Sequence, residues 1–222
     1  MGAMSQDLSS AGMGPEEVLS FWFPERDITE GDPEMAQRRI RWWFVEDPEV
    51  DREISERFGA VLGRASSGEL DHWADTARGR LALVIVLDQF SRNVYRGTPR
   101  AYAQDPKALR LALEGIEAGI GGELTLSERF FLWLPLSHSE ELAMHERFLR
   151  HVEEEAANAS PEWRAYHEFL LVQARAHLDV IGRFGRHPHR NEILGRTSTP
   201  EELEWLRTET PVHLRRPPSR SS

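Results

Sequence analysis

At 222 residues and 25.5 kDa the chain suits one large domain or two small ones, and it can bury a core without a metal or disulfide staple. The 37 Asp and Glu outnumber the 27 Lys and Arg for a formal charge of −10, which argues against general nucleic-acid binding and against docking on anionic membranes. Cysteine is absent, so thiolate nucleophiles, disulfides and cysteine-based metal sites are excluded, and a reducing cytoplasm is the expected compartment.

Residues 1–14 are rich in Ser, Gly and Met with no apolar period, and are expected to be a disordered segment whose opening Met-Gly-Ala-Met reads as a cloning remnant. Gly14-Pro15-Glu16-Glu17 then starts a helix, with proline at the first helical position. Asp47-Pro48 leads into a stripe of Val50, Ile54, Phe58 and Val61/Leu62. Leu81 to Leu87 is the longest uninterrupted apolar run, far short of a bilayer span. Its composition would suit a buried strand, but the apolar positions continue through Phe90 and Val94, and no second run exists to pair with it. Helix is therefore expected there. Asp105-Pro106 opens a helix that ends at Gly119, and Thr125 with Glu128 fits a capping box. Leu142, His145, Leu149 and Val152 mark another helix. Ser160-Pro161 opens the longest, carrying Trp163, Tyr166, Leu170, Ala174, Leu178 and Ile181, with Gly185 to close it and Pro188 to prevent resumption. Thr199 with Glu202 fits a second capping box, and residues 208–222 read as a disordered tail. No linker divides residues 15–207. The expectation is a single all-α domain of stacked antiparallel helical hairpins, tetratricopeptide-like in shape, with about nine or ten helices and no sheet.

Three polar blocks stand out from this pattern. Asp88-Gln89-Phe90-Ser91-Arg92-Asn93 continues a helix apolar on all sides, so its hydrogen-bonding groups are delivered into or beside the interior and must be paired. Asp88 and Arg92 share one face, and Gln89 and Asn93 another; a structural Asp–Arg bridge is the alternative reading. Pro135-Leu136-Ser137-His138-Ser139-Glu140-Glu141 lies just before or at the start of the Leu142 helix, where Ser137 or Ser139 would cap it. His138 near a carboxylate is the usual acid–base pairing. A metal held by His138, Glu141 and His145 is a weaker alternative, since the spacing is not that of a His-Glu-x-x-His helix. The third block, Arg183-Phe184-Gly185-Arg186-His187-Pro188-His189-Arg190-Asn191, is followed by Arg196. So many guanidinium forks beside one helix end read as an anion clamp, because binding to the last carbonyls accounts for Arg183 but not for all of them. His177, on the buried stripe, reads as a core histidine. There is no Gly-rich phosphate loop, no Gly-x-Ser-x-Gly elbow and no dinucleotide fingerprint.

Gly79-Arg80-Leu81 through Leu87-Asp88-Gln89-Phe90-Ser91-Arg92-Asn93-Val94-Tyr95-Arg96-Gly97-Thr98-Pro99-Arg100-Ala101 resembles the signature of a bacterial family catalogued as domain of unknown function 924. His138-Ser139-Glu140, the block from Arg183 to Asn191 and the opening Leu19-Ser20-Phe21-Trp22-Phe23 resemble its other signatures, so the likeness spans about residues 15 to 206. The resemblance implies a single all-helical domain related in shape to tetratricopeptide proteins, and no established reaction. His187 departs from it, standing where the family usually has an apolar aromatic.

The residues together point to one pocket for a small anionic molecule or a peptide carboxylate. Arg92, Arg183, Arg186, Arg190, Gln89, Asn93, His189 and Asn191 would bind it, and His138, Asp88 and Glu140 would be available for proton transfer. No cofactor, bound metal, nucleic acid or membrane is expected. The alternatives are a helical module that docks a protein or peptide while the polar blocks merely fix packing, and the metal-dependent hydrolase on His138, Glu141 and His145.

Overall fold

A computed structural model describes residues 12–24 and 33–208, with side chains from residue 39 onward in the second stretch. Of the segments expected to be disordered, 1–14 and 208–222, residues 1–11 and 209–222 lie outside the described residues, and Thr208 closes a helix.

Every regular element among the described residues is helical: α1 (Pro15–Trp22), α2 (Pro33–Phe44), α3 (Pro48–Ser67), α4 (Ala77–Ile85), α5 (Ser91–Val94), α6 (Asp105–Glu117), α7 (Leu126–His138), α8 (Leu142–Asn158), α9 (Arg164–Phe184) and α10 (Pro200–Thr208). Among the described residues contacts cluster into two units: unit 1 takes 12–24, Pro48–Arg96 and Arg100–Pro135, and unit 2 takes 33–47, Gly97–Pro99 and 136–208.

Unit 1 is organised by α4 and the turn that follows it, through which the Leu81–Leu87 stretch runs helical and buried on all sides. No polar face is left for water, so α1, α3 and α6 each lay an apolar stripe against α4 or the turn that follows it. The helix begins under a Thr76 cap, whose hydroxyl accepts the Gly79 N–H at 3.1 Å. At Gly79 a Cβ would stand 2.1 Å from the Trp73 carbonyl oxygen, so only glycine fits the close approach. Past Ile85 the helix widens into a π turn, Val86–Phe90, before α5. That turn carries Phe90 into an aromatic cluster with Trp22 (ring centroids 5.6 Å apart) and Phe58 (4.9 Å), and Trp22 in turn meets Phe131 (5.5 Å). The Thr125–Glu128 capping box forms as expected: Thr125 N–H donates to Glu128 at 2.9 Å, and buried Glu128 also takes Arg78 at 2.5 Å.

Unit 2 is built on the α8–α9 pair, joined by the short Pro161–Trp163 turn. Phe148 and Val152 of α8 and Leu170, Ala174 and Ile181 of α9 are buried. Gly185 ends α9 at φ +65, as a left-handed C-cap. The second capping box opens α10: Thr199 N–H donates to Glu202 at 2.7 Å and Glu202 N–H to the Thr199 hydroxyl at 3.2 Å. Trp205 packs edge-on against Phe184, centroids 5.7 Å apart. No described helix is long and apolar enough to cross a membrane.

Candidate functional site

The Asp88 block lies in unit 1, across the π turn and α5. Asp88 and Gln89 are buried, and the Gln89 amide donates to the Asp88 carboxylate at 2.5 Å. Arg92 donates to the Asp88 carbonyl at 2.6 Å, sits 3.1 Å from its carboxylate and forks onto Asp105 at 2.9 and 3.1 Å. Burial opposes the charge on this guanidinium, but Asp88 and Asp105 more than restore it. Asn93 and Arg96 both donate to Asp51, at 2.7 Å and at 2.5 and 2.7 Å. Opposite charges are thus matched within one layer of unit 1, tying α5 to α3 and α6.

The other two blocks meet in unit 2. Pro135 to His138 form the end of α7 rather than the start of the next helix, so Ser137 lies inside α7; the cap position of α8 falls on Glu141, not on Ser137 or Ser139, and the Ser139 hydroxyl accepts the Glu141 N–H at 3.1 Å. Across 47 residues of sequence, Glu140 accepts the His187 backbone N–H at 2.9 Å. Arg196 grips the same carboxylate at 2.7 and 3.0 Å and donates to the His187 carbonyl at 3.2 Å. Burial alone would push the Glu140 carboxyl up, but these bonds and the Arg190 charge hold it below the usual range. Further along, Arg186 forks onto Glu202 at 2.6 and 2.7 Å, Asn191 donates to Glu202 at 3.2 Å, and Arg183 pairs with Glu201 at 2.8 Å. The Arg186 hydrogen bonds bring Glu202 down to about 2.

Beside these bonds stands a group of histidines. His145 and His187 are wholly buried, their ring centroids 5.7 Å apart, and the His177 ring lies 6.4 and 6.2 Å from them. His189 comes within 5.4 Å of His187, and Arg190 is 94% buried beside them, being 6% exposed. The His145 Nε2 lies 2.8 Å from the Ser139 carbonyl, but its Nδ1 and both ring nitrogens of His187 meet no hydrogen-bond partner among the described residues. Burial, with the His138 and Arg190 charges, lowers His145 to about 4, outweighing the Ser139 carbonyl. Burial, then Arg190, takes His187 well below the ordinary imidazole range. Both rings are neutral at pH 7. Of these histidines, His177 alone had read as a core position, and His145 as a metal-ligand candidate with His138 and Glu141; the available signal was density, since seven of the nine histidines fall between positions 138 and 189. Among the described residues no three His, Asp or Glu side chains are placed to hold a metal ion, including the set His138, Glu141 and His145.

The model of a bacterial family described as protein of unknown function (DUF924) matches residues 18–210. A solved structure of a protein of unknown function from Agrobacterium tumefaciens is similar at 35% identity and a TM-score of 0.64, over 79% of this chain and 98% of that one. No functionally curated protein matches. With nearly all of its length under the family model and a helical fold like that of the Agrobacterium protein, the chain belongs to the DUF924 family.

Proposed function

We propose that unit 2 carries a binding site for a small anionic ligand or a peptide carboxylate, formed by His138–Glu140 and the loop from Arg183 to Asn191. One observation supports it above the others: buried ring nitrogens on His145 and His187 meet no hydrogen-bond partner among the described residues, beside the buried cation Arg190. Leaving such groups unmet costs about 1–3 kcal/mol each, and a ligand that accepts their hydrogen bonds offsets that cost. Arg190 would supply the fixed charge, with Arg183, Arg186, His189 and Asn191 around it, and His138 with Glu140 would be placed for proton transfer. The Asp88 block, with Gln89, Arg92 and Asn93, has its bonds within unit 1, and the proposal does not draw on it. A cytoplasmic setting accords with the absence of cysteine.

A second reading has its own support. Arg186 and Arg196 are both forked onto carboxylates of unit 2, as fastenings would be. In that reading the α8–α9 hairpin is part of a tetratricopeptide-like platform for a protein or peptide partner.

Thermal unfolding in sulfate, phosphate, acetate and a short peptide with a free C-terminus, each against chloride at equal ionic strength, separates the two. The site reading expects at least one of these anions to raise the melting temperature by several degrees through binding to the folded state alone. Arg190→Gln should abolish that gain. If none of them stabilises the wild-type protein beyond chloride, the polar segments are fastenings.

A further inference from the structure

We infer that the unit 2 site takes up an oxyanion together with a proton, with the buried pair His145 and His187 as the proton acceptors. This rests on the anion site proposed above and adds the linkage between its ligand and pH.

The argument begins with what faces each ring. Around His187 stand Arg190, His189, His177 and His145; around His145 stand His138, Arg190 and the Ser139 carbonyl. Every charged or titratable group in both sets is basic. Glu140 lies near, but it is held by two bonds from Arg196 and one from the His187 backbone N–H. An imidazolium here would therefore be buried beside the Arg190 cation, with the nearby Glu140 carboxylate already taken up by Arg196 and the His187 backbone N–H, and so the rings stay neutral. A neutral imidazole offers one N–H and one lone pair, and among the described residues neither finds a partner at His187.

An oxyanion reverses that balance. It accepts from Arg190 and from an imidazole N–H, and its charge is the missing counter-ion that makes a second N–H, and hence protonation, favourable. Anion and proton then bind with positive coupling, and by reciprocity each tightens the other. A divalent cation would do the opposite: it would compete with protons for the same lone pairs and be repelled by Arg190. The sign of the proton change on binding thus identifies the class of ligand.

Isothermal calorimetry with sulfate tests this directly, because sulfate does not itself protonate between pH 6 and 7.5. Titrations in buffers of different ionisation enthalpy should show net proton uptake approaching one proton per sulfate, and affinity should rise by up to about tenfold as pH falls by one unit. His187→Phe should reduce both the uptake and the affinity. Nitrogen chemical shifts of the histidine rings in the wild-type protein serve if that variant does not fold; sulfate should convert His145 or His187 to the imidazolium pattern. Sulfate binding with no proton change, or with proton release, overturns this inference and leaves the anion site standing. No sulfate binding at either pH, where acetate or phosphate also fails to bind, overturns both.

Discussion

Lowering the pH from 7 to 5 is expected to drop the melting temperature by about 10 °C, the work of buried neutral histidines in unit 2. His145 goes from 6.5 to about 4 on burial, so the unfolded chain binds its proton first as the solution is acidified. Stability from a group lowered in this way is full above pH 6.5 and drains as pH falls toward 4. By linkage this one ring costs about 2 kcal/mol at pH 5 and about 3 kcal/mol at pH 4. His187, lowered further by burial and Arg190, acts in the same sense, as do His151 and His167, both lowered chiefly by burial. Glu140 and Glu202 have folded values below the ordinary range, so they too lose stability on acidification, but only at lower pH. Calorimetric scans at half-unit steps should show the decline setting in below about pH 6.5, with His187→Phe flattening it. A melting temperature constant from pH 7 to 5 would show that the rings are not held neutral by the fold.

Phe90→Ala should cost about 4 kcal/mol, enough to lower the melting temperature by about 10 °C. Phe90 is fully buried, and its ring meets those of Trp22 and Phe58 at 5.6 and 4.9 Å and of Phe21 at 6.2 Å. Truncation leaves a cavity bounded by three aromatic neighbours whose backbones belong to α1 and α3, and these helices cannot close it without giving up their contacts with α4. Phe90→Leu, which refills most of the volume, should lose about 1.5 kcal/mol or less by denaturant titration. A loss below about 1 kcal/mol for the alanine variant would mean that the π turn does not seat Phe90 in the core.

Much of the fold was legible because its signals are local. The Thr125–Glu128 and Thr199–Glu202 boxes and the Gly185 cap are chemistry between residues three or four apart, and all three form. Leu81–Leu87 could be read as helix because its apolar positions ran on beyond a strand's length. Where the sequence misled, the cause was a feature without a local mark. Pro135 looked like a helix start, yet α7 carries it inside and ends at His138. The π turn has no compositional trace, since one extra residue per turn leaves the apolar run unchanged. Three polar blocks were expected to share one pocket; the contact between Glu140 and His187 joins two of them, and it depends on chain segments 47 residues apart. His187 was discounted for departing from the family pattern and His177 for standing on an apolar stripe, while His145 was weighed only as a metal ligand with His138 and Glu141. What sets His145 and His187 apart is burial next to Arg190, which is a property of the folded unit.

A crystal structure of the protein grown with selenate tests the central claim most directly, because selenium scatters anomalously and cannot be mistaken for water. The account predicts an anomalous peak in unit 2 within hydrogen-bonding distance of the Arg190 guanidinium and a ring nitrogen of His187. Full-occupancy selenate elsewhere, with no peak beside those two side chains, would contradict it.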